Sequence, residues 1–314
     1  MNPYLNTNYI LHLDLHLLPD SPHPGTGIDL DEARKILRKV KPGVVQFHSM
    51  GLHGYTTYHT RVGTPHPHLE KDMLAVWGDA ARAEGIGFFV YHAGVTSNVT
   101  GAEHPEWLKR KADGKPWVFG VEEGEAAHSH SFMCFNGGYV TEQMYPLLAE
   151  VIREYSPDGF WIDGDIGSAV SCWCDVCVEK FKNAMGLDAP RTADAPGARE
   201  WSEFGRRTFR DYLQRTGDFI HSFSPDCMYA SSSTFSEMMP EPPLQGIDYL
   251  TGDLDNTDAY YRSDMRARAY RNQGRPYDAM LFVDGFAWNS RPMQPKPHVQ
   301  LSQEAISVLV HNGR

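Results

Sequence analysis

The sequence has 314 residues, of which 41% are hydrophobic, and its formal net charge is −11 at pH 7. This acidic balance argues against a nucleic-acid-binding protein, because phosphates require a basic face, and no apolar run approaches the ~18 residues of a membrane helix. No signal-peptide pattern precedes Asp14, so we expect a cytoplasmic protein. No linker or charge block divides the chain, and residues 1–314 are predicted to form a single domain.

Strand-like and helix-like segments alternate along the chain. The first strand alternates apolar and polar residues, and the first helix has Asp29 or Asp31 as a cap before apolar residues at helical spacing. The predicted strands are residues 9–17, 43–48, 86–92, 160–162, 227–230, 247–250 and 277–284. The predicted helices are residues 28–40, 69–84, 139–155, 178–185, 201–223, 259–272 and 301–311.

This alternation predicts a parallel sheet with helices outside it. We therefore expect the α/β class and a (β/α)8 TIM-type barrel that lacks strand 8 in this chain. The sequence stops at residues 312–314, where an eighth strand should begin. A fragment of a longer chain is the favoured interpretation, and a barrel that closes by another route is the alternative.

The fourth predicted strand ends at two acids. Its apolar residues 160–162 follow a turn at 157–159 and lead into Asp163 and Asp165. In a parallel α/β barrel, catalytic side chains lie at the carboxyl ends of the strands. Asp163 is therefore a candidate catalytic residue, and the alternative is that both acids are turn formers around Gly164.

Three cysteines follow within a dozen residues, in a C-x-C-x-x-C pattern at Cys172, Cys174 and Cys177. With Cys134 as a fourth ligand, they predict a tetrahedral structural zinc site beside the end of the fourth strand. The alternative is a set of ordinary buried thiols. Cys227 lies in a predicted strand and is expected to be a core residue.

A family resemblance is carried by His53-Gly-Tyr55, Thr60-x-Val-Gly63, His66-Pro-His-Leu69, His104-Pro-Glu-Trp107 and the acid at Asp163. With the cysteine pattern, these segments resemble glycoside hydrolases that combine an (α/β)8 catalytic barrel with a cysteine cluster. The strongest resemblance is to the α-L-fucosidases of glycoside hydrolase family 151, the hypothetical glycosyl hydrolase 6 type.

Two further families are more distant. Family 29 fucosidases have their nucleophile in a context similar to Trp161-Ile-Asp-Gly164, and family 42 β-galactosidases have a similar cysteine cluster but an Asn-Glu pair that is absent here. The chain also departs from family 151, since Leu52-His53 replaces a His pair and the acid-rich segment after strand 6 is reduced to residues 251–255.

The resemblance implies a retaining glycosidase that acts on a terminal sugar, with an α-L-fucoside favoured and a β-galactosidase-like activity as the alternative. Such an enzyme needs a nucleophilic carboxylate and a protonated carboxyl. Asp163 is the expected nucleophile. Asp253, in the position of the acidic segment, is the first choice for its partner, and the other candidates are Asp255, Asp284, Glu122 and Glu123.

Polar and aromatic residues at or near the strand ends are expected to contact the sugar. Histidines, His16 among them, can bind sugar hydroxyls, and a tryptophan can stack on a sugar face. The predicted substrate-binding residues are His12, His48, His53, His92, Trp161, Asp165, Asp284 and Trp288. Rim or core packing is the alternative for each histidine and for Trp288.

Other classes of function stay open at this point. With 15 histidines, the protein could be a metal-dependent hydrolase in which His12, Asp14 and Asp163 bind a catalytic metal. It could also be a non-catalytic carbohydrate-binding barrel. The favoured interpretation predicts no cofactor for catalysis and allows a structural zinc. It predicts a carbohydrate as partner, no nucleic acid and no membrane, and it allows a homo-oligomer.

Overall fold

Seven parallel strands form the centre of the structure, a computed structural model that describes residues 2–119, 129–254, 259–285 and 294–314. They are β1 (Ile10–Leu13), β2 (Val44–Met50), β3 (Gly87–Ala93), β4 (Gly159–Asp163), β5 (Met228–Ser231), β6 (Asp253–Leu254) and β7 (Met280–Leu281). The predicted α/β barrel fold is confirmed, and the described strands leave the barrel open between β7 and β1.

The strands follow one another around the sheet in chain order. β1 to β5 form consecutive parallel pairs, and β6 pairs in parallel with β7. Backbone hydrogen bonds from Asp248 to Tyr229 (2.9 Å) and from Ser233 to Thr251 (2.8 Å) join β5 to the segment before β6. Arg314 lies beside β7, since its N–H donates to the carbonyl of residue 277 and its carbonyl accepts from residue 279.

Helices cover the outside of this sheet. They are α1 (Leu30–Val40), α2 (Met73–Glu84), α3 (Tyr145–Tyr155), α4 (Asp175–Met185), α5 (Ala198–Phe223), α6 (Ala259–Arg271) and α7 (His298–Leu309). Asp29 is the cap that begins α1, because its carboxylate accepts from the N–H of Glu32 at 2.9 Å. Within the described residues, no helix is long and apolar enough to cross a membrane.

Shorter elements connect these strands and helices. They are a helix at Asn98–Glu103, a π-helical turn at Val140–Met144, 3₁₀ turns at Pro3–Asn6, Pro105–Trp107 and Ile166–Ser168, and strands at Tyr55–Thr56, Thr64–Pro65, Val118–Phe119, His130–Ser131, Asp284–Gly285 and Gln294–Pro295.

Side chains alternate between the helices and the barrel interior. Outward residues of the strands, such as Val45 and Phe160, belong to the main core that includes the helices. Inward residues form layers, and Tyr4, Phe89 and four other residues fill the lowest one. Gly159 makes room for it, because a Cβ there would meet the Phe89 ring at 2.5 Å.

The predicted bounds were wrong mainly at the strand ends. Strand 1 was predicted to reach residue 17 but ends at Leu13, because the chain then turns so that the Leu15 N–H donates to the His48 imidazole at 3.2 Å. The predicted sixth strand ended at Leu250, which forms only an isolated bridge with Tyr277, and regular pairing begins at Asp253.

Candidate active site

Asp163 lies at the carboxyl end of β4 and is partly exposed. Its Oδ2 accepts a hydrogen bond of 2.8 Å from the hydroxyl of Tyr91, in the neighbouring strand β3. Within the described part of the chain, no hydrogen bond reaches Oδ1. One oxygen of this carboxylate is therefore held and the other is available to a ligand.

Asp253 is the second carboxyl of the candidate site and is the first residue of the two-residue strand β6. Its Oδ1 is enclosed and meets no hydrogen-bond partner among the described residues. Burial, followed by the negative charges of Asp163 and Asp14, raises the pKa of Asp253 well above the ordinary value of a carboxyl group. Asp253 therefore keeps its proton at pH values where an exposed carboxyl has lost it.

A buried cation holds the backbone of this segment. The guanidinium of Arg266 donates to the carbonyl oxygen of Asp253, and its Nε lies 3.1 and 3.2 Å from the two carboxylate oxygens of Glu237. Glu237 follows a loop after β5 in which Ser233 and Phe235 adopt left-handed φ angles of 58° and 55°. Arg266 thus links the loop after β5 to the strand end that carries Asp253.

Three histidines surround the carboxylate of Asp14, just after β1. The Nε2 atoms of His48, His16 and His12 lie 3.1, 3.2 and 3.8 Å from its Oδ1. The carboxylate of Asp14 is 44% exposed. Partial removal from water acts to raise its pKa, but its contacts with the three imidazoles hold that pKa well below its usual range. Burial lowers the pKa of His48 to about 3, so this imidazole is neutral at physiological pH.

Of the three metal ligands predicted in the alternative function, His12 and Asp14 belong to this cluster around the Asp14 carboxylate. The ligand atoms of His12, Asp14 and His48 lie within 4.8 Å of one another, and Asp163 is not among them. His48 Nε2 is also the atom that accepts a hydrogen bond from the N–H of Leu15 at 3.2 Å. A metal ion bound to this nitrogen would have to replace that bond.

Trp161 lies between these groups, two residues before Asp163 on the inward face of β4. Its ring meets the rings of His12 and Tyr91 edge-on, with centroids 4.8 and 5.5 Å apart. Its indole Nε1 is buried and has no hydrogen-bond partner in the described residues. A buried donor without a partner is costly, so Nε1 is suited to bind a substrate oxygen or a water molecule.

His92 and His53 occupy different surroundings. His92 follows Tyr91 along β3 and lies on the opposite face of the strand, where its Nδ1 is 2.9 Å from Ser49 Oγ. Burial lowers the pKa of His92 to about 3. The geometry does not favour the predicted contact of His92 with substrate. His53 is also buried, and its ring lies 4.9 Å from that of His130.

The geometry gives no support to a substrate contact of Asp165, which is completely buried. Its carboxylate accepts from the Tyr212 hydroxyl, the Ser231 hydroxyl and the N–H of Val95, each at 3.1 Å. Asp165 is buried because Gly164, with a φ of 84°, turns the chain after Asp163. Asp165 therefore ties the segment just after β3 to β5 and α5.

Four other candidates lie outside the described residues, namely Trp288, Asp255, Glu122 and Glu123. Asp284 begins the short strand Asp284–Gly285.

The four predicted zinc ligands come together. The sulfur atoms of Cys134, Cys172, Cys174 and Cys177 lie within 4.8 Å of one another, and Cys134 Sγ is 3.4 Å from that of Cys177 and 3.5 Å from that of Cys174. Four thiolates around one zinc ion would be about 3.8 Å apart, given the Zn–S bond length. The donor set and its spacing fit zinc, and Cys227 is buried elsewhere in the main core.

Two residues of the site were missed by the sequence analysis. Tyr91 was treated as part of an apolar strand, although its inward position beside β4 is a signal that could have placed it near Asp163. Arg266 lies in a predicted helix, and no local pattern connects it with Asp253.

Residues 33–164 match the family model described as hypothetical glycosyl hydrolase 6. This match includes β2, β3 and β4 and ends just after Asp163. No curated protein sequence matches the chain significantly.

Solved structures share the fold. The α-L-fucosidase isoenzyme 2 from Paenibacillus thiaminolyticus aligns with a TM-score of 0.81 and 20% identity, covering 98% of this chain and 45% of that chain. A β-galactosidase from the Antarctic haloarchaeon Halorubrum lacusprofundi aligns with a TM-score of 0.67 and 14% identity, covering 96% and 51%. A β-galactosidase from the psychrophilic Marinomonas ef1 aligns with a TM-score of 0.61 and 11% identity, covering 97% and 52%.

This chain spans about half the length of the solved structures that it matches, and at these identities the likeness shows the fold. The expected resemblance to glycoside hydrolases of the hypothetical glycosyl hydrolase 6 type is confirmed by the family match over residues 33–164.

Proposed function

We propose that this chain is the catalytic barrel of a retaining glycoside hydrolase in which Asp163 is the nucleophile and Asp253 is the general acid and base. The observation that carries the proposal is the contrast between the two carboxyls. Asp163 is partly exposed and accepts a hydrogen bond through Oδ2 alone among the described residues, whereas burial and neighbouring charges keep the proton on Asp253. A retaining glycosidase needs this division between two acids.

The reaction then follows in two steps. Asp163 Oδ1 forms a bond to the anomeric carbon while the bond from that carbon to the leaving oxygen breaks, and the proton of Asp253 passes to that oxygen. In the second step, a water molecule gives its proton to Asp253 and its oxygen bonds to the anomeric carbon, which releases Asp163. Both acids return to their starting states.

The proposed substrate is a terminal α-L-fucoside, and a β-galactoside is the alternative. The similarity in fold to an α-L-fucosidase over 98% of this chain supports the first choice. His12, His48 and Trp161 are proposed to bind the sugar, because each has a buried ring nitrogen without a hydrogen-bond partner among the described residues. Aryl α-L-fucosides and aryl β-D-galactosides test this directly, and a chain that hydrolyses neither contradicts the proposed specificity.

A structural zinc ion is proposed at the four cysteines. Zinc would supply a cross-link between the segment after β4 and the loop at Cys134. Its folding energy would arise because the unfolded chain has no preformed site. The zinc ion has no role in the proposed chemistry.

One observation favours a second candidate function, a metal-dependent hydrolase, because His12, Asp14 and His48 present three ligand atoms to one point. Chelator treatment separates the two candidates. A glycosidase that uses Asp163 and Asp253 keeps its activity as long as metal analysis shows that the zinc of the four cysteines is retained. A metal-dependent enzyme loses activity with the loss of a second metal ion and regains it only when metal is added. Binding of a glycoside without turnover would instead indicate a carbohydrate-binding barrel.

The cytoplasmic location and a homo-oligomeric state stay predictions from the sequence. Fractionation of the native cells and light scattering of the purified chain test them.

A further inference from the structure

We propose that Tyr91 is a positioning residue that holds Oδ2 of Asp163 and thereby makes Oδ1 the attacking atom. This inference rests on the proposed function, since it assigns a role to a neighbour of the proposed nucleophile. Its basis is the single hydrogen bond of 2.8 Å that the carboxylate of Asp163 accepts within the described residues.

The hydroxyl of Tyr91 has a fixed position because its ring cannot turn. The ring is 1% exposed, and it stacks on the His48 imidazole with centroids 3.7 Å apart and planes at 9°. Trp161 meets it edge-on from β4 at 83°, and Trp161 is also the residue opposite Tyr91 in the β3–β4 register. These contacts set the hydroxyl with respect to the strand that carries Asp163.

Tyr91 is the donor in this contact, because an ionised carboxylate offers only acceptor oxygens and the phenol carries the one proton between them. Its hydrogen bond to Asp163 is strongest when the carboxylate carries its full charge.

Because the strength of this hydrogen bond depends on the charge of Asp163, loss of the Tyr91 hydroxyl changes the rates of the two reaction steps by different amounts. When Asp163 attacks the sugar, it loses charge and the hydrogen bond weakens. When water displaces the sugar, Asp163 leaves with its charge restored and the hydrogen bond strengthens in the transition state. Loss of the Tyr91 hydroxyl is therefore expected to slow the second step more than the first, so that the glycosyl-enzyme accumulates.

Tyr91→Phe removes the hydroxyl and keeps the ring and its packing. With a dinitrophenyl glycoside that the wild type hydrolyses, we expect kcat to fall about 10- to 100-fold, as for one hydrogen bond to a charged group. We expect KM to fall with it, so that kcat/KM changes less than about 5-fold, because an accumulating intermediate lowers both constants. A merely structural role would not lower KM.

Tyr249→Phe is the matched control. Tyr249 is also a fully buried tyrosine of the barrel interior, but its hydroxyl donates to the backbone carbonyl of Phe160 at 3.0 Å and not to an acid. It belongs to the lower layer with Tyr4 and Phe89. We expect kcat and KM of this variant to stay within about 3-fold of the wild type, although its melting temperature falls by a few degrees, as for the loss of one hydrogen bond.

The experiment combines steady-state and burst kinetics of the three proteins with a crystal structure of Tyr91→Phe. A parallel fall in kcat and KM with a larger burst, together with a changed rotamer of Asp163, supports the inference. Wild-type kinetics in Tyr91→Phe, or a fall in kcat/KM with unchanged KM, overturns it. If the wild type hydrolyses no aryl glycoside, the proposed function fails. The crystal structure of Tyr91→Phe still tests the positioning role of Tyr91, because an Asp163 side chain that keeps its wild-type rotamer overturns that role.

Discussion

The negative charge of Asp163 acts on Asp253 across the barrel mouth, and after burial it is the largest cause of the raised pKa of Asp253. The two carboxyls come from β4 and β6, which are separated by β5. Like charges in a shared, enclosed space cannot both ionise easily, so the proton stays on the more buried partner. This pairing supports the proposed division of roles between Asp253 as the acid and Asp163 as the nucleophile.

The first prediction concerns Asp253. Asp253→Asn is expected to reduce kcat/KM for substrates with poor leaving groups by about 100- to 10,000-fold, the range for loss of general acid catalysis. For dinitrophenyl glycosides, which need no proton, kcat/KM should fall less than about 10-fold. The wild type should lose activity as pH rises through the raised pKa of Asp253, and the variant should lack this basic limb. Equal losses for both substrate types would assign the acid to another residue.

The second prediction concerns the charge of Arg266, which lowers the pKa of Asp253 against the effect of burial. Arg266→Gln removes that charge, so the pKa of Asp253 should rise further and the basic limb of the pH profile should move to higher pH. Loss of the contact with Glu237 should also destabilise the fold by about 1 to 3 kcal/mol, as for a lost hydrogen bond to a charged group. Arg268→Gln, on the exposed side of α6, is the control, and an identical profile in both variants would contradict the assignment.

The sequence allowed the parallel alternation, the position of Asp163 and the cysteine cluster to be predicted. Each depends on a local pattern, such as the apolar run that ends at Asp163 or the spacing of Cys172, Cys174 and Cys177. The role of Asp165 could not be read locally, because the left-handed Gly164 turns its carboxylate toward Tyr212, 47 residues away in sequence. Tyr91 is 72 residues from Asp163, and only the register of β3 and β4 brings them together.

The third prediction concerns zinc. The purified chain should contain about one zinc ion, as expected for a structural four-cysteine site. Cys174→Ser should lower the zinc content several-fold and reduce the melting temperature, because metal binding contributes folding energy. Cys227→Ser, in a buried thiol of the main core, should retain its zinc. Metal analysis checks this, and a zinc-free wild type that melts at the same temperature with and without added zinc would exclude the site.

The fourth prediction concerns Asp165, whose pKa burial raises to about 7. Because the unfolded value is about 4, the stability that protonated Asp165 contributes is fully present below pH ~4. This stability is lost at up to ~1.4 kcal/mol per pH unit as the pH rises toward 7. Asp165→Asn lacks this titration. From pH 5 to pH 7, the free energy of unfolding of the wild type should therefore fall by about 2 kcal/mol relative to that of the variant.

Urea unfolding at the two pH values measures this difference, with the exposed Asp79→Asn as control. A constant difference between wild type and Asp165→Asn would mean that Asp165 does not hold its proton. A folded Asp165→Asn variant with an unchanged KM would agree with a structural role for this residue.

The most direct test of the account is the turnover of Asp163→Asn. This change keeps the shape of the side chain and removes the attacking charge, so kcat on an aryl glycoside should fall at least 1,000-fold, about 4 kcal/mol in the barrier, while substrate binding survives. In Asp163→Gly, azide should restore turnover and yield a glycosyl azide. If Asp163→Asn keeps more than about a tenth of the wild-type rate, a barrier change below roughly 1.4 kcal/mol, Asp163 is not the nucleophile.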